Sequence, residues 1–204
     1  VYYRFAAGIV EVIINKLCRG KAAGLDNFTT EHLQKCHPML SVVLSVLFKL
    51  MIHVGYVPDS FSRSYTVPIL KDSSGYGKTV SANDFRGISI SPVISKVFEH
   101  CILHRNANFF VSSNNQFGFK KGSSCAHAIY AVRSTIDYYV SRNSNVNLCA
   151  LDLSKAFDKM SHYGLFVKLM ERHIPVNLLK ILEMWFQTGI TCVKWGNMFS
   201  NLYQ

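Results

Sequence analysis

The sequence predicts an α+β protein, and three observations carry that reading. Apolar residues make up 49% of the 204 and charged residues only 17%, a balance that supports a packed core and lacks the composition of disorder. Apolar positions recur at three-to-four spacing in several long segments and alternate in a few short ones, so both helices and strands are expected. The two kinds are interleaved irregularly, with no internal repeat and no regular strand-helix-strand succession, which favours α+β over a doubly wound sheet.

Taken in order, Thr29 and Thr30 are candidate caps for a helix through Lys35, which His37-Pro38 interrupts. A heavily apolar helix follows from Leu40 to Val54 and ends near Gly55. Counted from Met39, this longest apolar run is broken by Lys49 and His53 and falls short of the roughly 20 residues that a bilayer span needs. It reads as a buried helix, and no membrane partner is expected. Tyr65, Val67 and Ile69 alternate with Thr66, Pro68 and Leu70, which predicts a short strand, with Pro68 making it an edge or bulged one. Lys71 to Asn83 (KDSSGYGKTVSAN) is a basic Gly/Ser-rich loop. Ser91 then Pro92 opens a helix whose apolar face runs through Ile94, Val97, Cys101, Ile102 and Phe109. A further helix spans about Ser124 to Val140, and VNLCAL, Val146 to Leu151, reads as a buried strand that ends on Asp152. Helices are expected from His162 to His173 and from Pro175 to Gln187, with Gly189 as a stop. Thr191 to Trp195 and Met198 to Tyr203, split by Gly196-Asn197, read as a hairpin.

Lys plus Arg is 22 against 12 for Asp plus Glu, a formal charge of +10, which favours a polyanionic partner such as nucleic acid. The six cysteines contain no C-x-x-C pair and read as reduced, buried thiols of an intracellular protein. No secretory signal opens the sequence, and its first residue is Val1, so it reads as a piece of something longer.

A carboxylate at the end of a buried strand is held rigidly at an open edge, which suits a divalent metal ligand. Asp152 takes that position, although from position alone a helix cap for the turn at Ser154 is the better account. His100 and His104, four apart beside Glu99, and His32 with Cys36 have zinc-like spacing, but further ligands at characteristic distances are missing, and a place on a helix face is the better account.

The whole string around Asp152 decides more. ALDLSKAFDKMSH, Ala150 to His162, closely resembles the first catalytic-aspartate motif of the reverse transcriptases of non-LTR (LINE-type) retrotransposons. Four more blocks resemble that family in its own order. KAAGLDNFTTEHLQ, Lys21 to Gln34, is similar to K-x-P-G-x-D-x-I-x-x-E-x-L, with Ala23 for proline and Asn27 for glycine. YVPDSFSRSYTVPILK, Tyr56 to Lys71, resembles P-x-x-W-K-x-x-x-x-x-P-I-x-K, with Phe61 for tryptophan. NDFRGISISPVISKVFEH, Asn83 to His100, resembles Y-R-P-I-S-L-x-x-x-x-K-x-x-E, with Gly87 for proline. NQFGFKKGSSCAHAI, Asn115 to Ile129, resembles Q-x-G-F-R-x-G-x-S-T-x-x-A.

The resemblance implies a right-hand polymerase fold of which this chain holds the fingers and the first part of the palm. Residues 1–20 would be an N-terminal helical flank, 21–145 a fingers-like region and 146–204 a partial palm. Asp152, with the backbone carbonyl of Leu153, would help to hold two Mg²⁺ (or Mn²⁺) ions about 3.5–4 Å apart that activate the primer 3′ hydroxyl and stabilise the leaving pyrophosphate. Phe157 matches the family's steric gate against a 2′ hydroxyl. Lys71, Lys78 and Arg86 would face the triphosphate of an incoming deoxynucleotide, although solvated surface charge is as good an account of the two lysines. Gln116, Phe117 and Gly118 would lie near the templating base, and Lys120 and Lys121 would contact phosphates. The implied partners are an RNA template, a DNA primer, deoxynucleoside triphosphates and a C-terminal palm and thumb of the same polypeptide, in nucleus and cytoplasm. The family's second acidic motif, Tyr/Phe-Ala-Asp-Asp, does not occur in the 204 residues, so polymerisation by this chain alone is not expected, and some apolar surface should lie uncovered. The alternative is a truncated, noncatalytic relic that still binds nucleic acid.

Overall fold

A computed structural model of the chain describes residues 5–71, 80–153, 156 and 159–204. In chain order the elements are α1 (Ala7–Lys16), α2 (Thr30–Lys35), α3 (Met39–Val54), α4 (Asp59–Ser62), β1 (Arg63–Leu70), β2 (Phe85–Ile90), α5 (Val93–Arg105), α6 (Cys125–Val140), α7 (His162–Glu171), α8 (Val176–Gln187), β3 (Ile190–Trp195) and β4 (Met198–Phe199). The mixture of helix and sheet is the α+β class that the periodicities predict. Two compact units divide it: Val1–Asn106 with Phe166–Gln204, and Ala107–Leu165.

The first unit carries the core. Phe48, Phe98, Val10, Val57, Val97, Leu178 and Ile181 are wholly buried, drawn from α1, α3, α5, α8 and the turn before α4. Phe98 is its centre: its ring lies 4.9 Å from Phe48, 5.5 Å from Trp185 and 6.2 Å from Phe61. Phe61, the residue standing for the family's tryptophan, is therefore a core aromatic. Gly55 closes α3 at φ +73°, a left-handed stop that glycine adopts without a steric penalty. The described residues contain no helix long and apolar enough to cross a membrane.

The sheet runs in the order β2-β1-β3-β4. β1 pairs antiparallel with β2 and parallel with β3, so it is an interior strand rather than the edge that Pro68 suggests. The reason is register. β3 pairs only with Arg63 to Thr66, so Pro68, which has no N–H to give, lies beyond that ladder and faces Gly87 of β2 alone. β2 itself has no buried residue, and without an alternating apolar pattern its strand was invisible in the sequence. The expected hairpin forms as β3 and β4 around Gly196 (φ +60°), with Tyr203 bridging back to Thr191. α5 stops at Arg105, and Phe109 lies in a separate 3₁₀ turn, Ala107–Phe110.

In the second unit the expected strand from Val146 to Leu151 is absent: the segment is irregular, with Leu148 68% and Leu151 92% exposed. A strand needs a neighbour for its backbone N–H and C=O groups, and no described residue supplies one. α6 likewise buries no side chain and exposes Ile129, Tyr130, Tyr138 and Val140. All six cysteines are unpaired, but only Cys101 and Cys192 are buried, so burial of the other four is corrected. Desolvation pushes the Cys101 thiol up to about 12.

Candidate functional site

The loop Lys21 to Asp26 is fixed by close contact rather than by regular structure. A Cβ on Gly24 would sit 2.9 Å from the Pro92 Cα at the start of α5, so only glycine allows the loop to lie against that helix end. The Tyr65 hydroxyl donates to the Ala23 carbonyl at 2.9 Å and ties the loop to β1. Asn27 has φ +59°, which explains why a glycine-like position tolerates asparagine. Glu31 on α2 accepts from the Gly20 amide at 2.6 Å, and chiefly that bond holds its carboxyl below the usual carboxylate range, with a smaller pull from Arg19.

Of the expected triphosphate contacts, Lys71 and Arg86 come to one end of the β1–β2 pair, where Ile69 lies opposite Arg86 and the Lys71 amide donates to the Asp84 carbonyl at 2.8 Å. Arg86 is exposed, whereas the Lys71 ammonium donates to the Asn83 carbonyl at 2.6 Å. Asp84 accepts from the amide and the hydroxyl of Ser81 at 2.8 and 3.0 Å. Those bonds, more than Lys71, keep its carboxyl low. Lys78 falls outside the described residues.

In the second unit, Gln116 and Lys120 are spent partly on the loop itself: Gln116 Nε2 donates to the Gly118 carbonyl at 3.2 Å and Lys120 Nζ to the Ser113 carbonyl at 3.1 Å. Phe117 is half-buried, and Lys121 is exposed. Gly118 has an ordinary φ, and a Cβ there would meet nothing within 4 Å. Nothing described inside the chain requires glycine at that position.

Asp152 and Leu153 follow in the irregular segment, both exposed, Leu153 at 78%. The Asp152 carboxylate makes no hydrogen bond or ion pair among the described residues. Its oxygens and the Leu153 carbonyl are hard donors that fit a divalent cation such as Mg²⁺. One carboxylate holds it weakly, and no group of three His, Cys, Asp or Glu side chains converges among the described residues. Phe157 lies outside them. Lys16, Lys21 and Lys96 line one pocket of the first unit with His100; Lys21 and Lys96 stand at the lysine positions of two of the sequence blocks, but their separation along the chain gave no sign that they share a pocket.

The reverse transcriptase (RNA-dependent DNA polymerase) profile matches residues 69–203. The chain is 25% identical over 196 residues to the probable RNA-directed DNA polymerase from transposon X-element of Drosophila melanogaster, covering 94% of this chain and 21% of that protein. It is 23% identical over 184 residues to the RNA-directed DNA polymerase from mobile element jockey of Drosophila funebris, with 86% and 19% covered. The retrovirus-related Pol polyprotein from type-1 retrotransposable element R2 of Nasonia vitripennis is 23% identical over 171 residues, with 82% and 16% covered. This chain thus spans about one fifth of the length of the curated relatives it matches. With the profile running from the end of β1 to the bridge at Tyr203, the chain belongs to the reverse transcriptase (RNA-dependent DNA polymerase) family.

Proposed function

We propose that this chain is the fingers and the first part of the palm of a non-LTR retrotransposon reverse transcriptase, which extends a DNA primer on an RNA template with deoxynucleoside triphosphates. The observation that carries the reading is the five sequence blocks, in family order, inside a chain that aligns over 94% of its length with a transposon polymerase. An element copied at its chromosomal target places the complete protein in the nucleus after synthesis in the cytoplasm.

Asp152 and the Leu153 carbonyl would hold divalent metal, joined by a second acidic motif that these 204 residues do not contain. Bound Mg²⁺ or Mn²⁺ supplies Lewis acidity, making the primer hydroxyl easier to ionise and offsetting charge on the leaving pyrophosphate. The chain's own residues do the rest. Arg86 and Lys78 pair with triphosphate oxygens, and Lys71 exchanges the Asn83 carbonyl for one. Phe157 packs under the sugar and bars a 2′ hydroxyl. The Gln116-Phe117-Gly118 turn approaches the templating base, where the open space at Gly118 lets a base lie against the backbone. Lys121, with Lys120, positions phosphates without reading sequence. With Asp152 as the one carboxylate contributed, the chain by itself does not extend a primer.

The source transcript tests the reading. Read in frame beyond the codon for Gln204, it is expected to encode a Tyr/Phe-Ala-Asp-Asp motif. A stop codon soon after Gln204 contradicts the polymerase and leaves a relic whose remaining function is nucleic-acid binding.

A further inference from the structure

α3 is apolar on every side. Its inner side buries Leu44, Phe48, Met51 and Ile52 in the core of the first unit, which fixes the direction of its outer side. That outer side carries Met39, Val42, Val43, Val46, Leu50 and Val54, each between 43% and 64% exposed, and the exposed polar residues among them are Lys49 and His53. A surface helix normally presents charged and polar residues to water, and one that is apolar all round is covered on both sides. The spacing identifies the shape of the cover. Met39, Val43, Val46, Leu50 and His53 follow at intervals of four, three, four and three, the seam of a helix that packs lengthwise against another helix. The residues in the seam say which helix. With two copies of α3 antiparallel, Val43 packs on Val46 of the other copy and Met39 on Leu50, each layer occurring twice and each wholly apolar. His53 then falls beyond the last layer and Lys49 lies beside Val42, so no cation meets another. A parallel pair instead stacks His53 on His53 within the seam. An acidic partner would find only Lys49 beside four apolar layers. The outer side of α3 is thus best complemented by itself. Two 16-residue helices pair over about 24 Å and bury less than the roughly 1,600 Å² of a standard interface, so the association is reversible.

We propose that α3 forms an antiparallel, two-fold contact between two copies of this chain. The contact does not depend on the polymerase reading. Sedimentation equilibrium of the 204-residue chain, freed of nucleic acid and run over micromolar concentrations, is expected to show a monomer–dimer equilibrium. The dimer is expected to persist at about 0.5 M NaCl, where contacts between exposed charges are screened. A monomer throughout, or a dimer lost at that salt, overturns the proposal. Val43→Glu and Val46→Lys each set a charge against an apolar residue of the other copy, and each alone is expected to weaken the dimer about tenfold or more. Both positions are exposed, so the far-ultraviolet circular dichroism of the two variants is expected to match that of the unaltered chain. Mixed in equal amounts, the two variants are expected to dimerise again: the new carboxylate meets the new ammonium in one layer, and the other Val43–Val46 layer is unaltered. A mixture no tighter than either variant overturns the antiparallel self-contact, because a parallel pair or a cover of any other origin does not bring positions 43 and 46 together. Ile129→Glu on α6, whose apolar residues are exposed in the second unit, is expected to leave the equilibrium as it is. A loss there equal to that of Val43→Glu moves the contact to α6 and overturns the proposal.

Discussion

Gly24 shows how one missing side chain positions a whole motif, because the Pro92 backbone occupies the space a Cβ would need. Gly24→Ala is expected to destabilise the fold by about 1–3 kcal/mol, measured by denaturant unfolding; a cost near zero would mean that the loop does not lie against α5. Glu31 and Asp84 give a pH test. Both carboxyls are held below their ordinary range by backbone and hydroxyl donors, so their contribution is present above the unfolded pKa and is lost as pH falls through the folded one. Stability of the unaltered chain should therefore drop more steeply below about pH 4 than that of Glu31→Gln/Asp84→Asn. Parallel pH curves would rule this out. At this scale Asn27 was legible as a departure from glycine, and its positive φ supplies the reason. That Lys16, Lys21 and Lys96 line one pocket was not, because Lys96 comes to the other two only through the packing of α5.

At the scale of elements, β1 and β2 meet tightly where Gly87 faces Pro68: a Cβ on Gly87 would lie 2.9 Å from the Thr66 Cγ2. Thr66 is β-branched and stiff, and its hydroxyl contacts those of Ser89 and Thr191 at 2.8 and 3.2 Å. Gly87→Ala should cost about 1–2 kcal/mol alone and much less in a Thr66→Ser background, where the methyl is gone and the hydroxyl kept. Additive costs in that double-mutant cycle would contradict the contact. The helices were legible because their apolar spacing survives tertiary packing, as for α3 with its stop at Gly55. β2 escaped notice because an exposed strand carries no apolar alternation. VNLCAL erred the other way: an apolar run of strand length predicts strand, but pairing needs a partner, and none lies beside it among the described residues.

Across the whole molecule, stability is concentrated in the first unit, where Phe98 touches Phe48, Phe61 and Trp185. Phe98→Ala should cost about 3–5 kcal/mol in thermal or denaturant unfolding. The second unit, with no buried residue on α6 and a largely exposed 146–153 segment, should exchange its amide hydrogens far faster. Uniform protection across both units would contradict that division. The family was legible in the sequence because its motifs are strings of particular residues; the site was only partly so, since what surrounds Asp152 depends on pairing that the described residues do not supply.

Asp152 is proposed above as a metal-holding carboxylate of an RNA-directed DNA polymerase. Its most direct test is primer extension on an RNA template by a polypeptide that carries this chain together with the second Asp-Asp motif, with Asp152→Ala beside it. Deoxynucleotide incorporation is expected to depend on Mg²⁺ and to be lost in the Asp152→Ala protein, with no extension by the 204-residue chain alone. Undiminished synthesis by the Asp152→Ala protein, or extension by the chain alone, would contradict it.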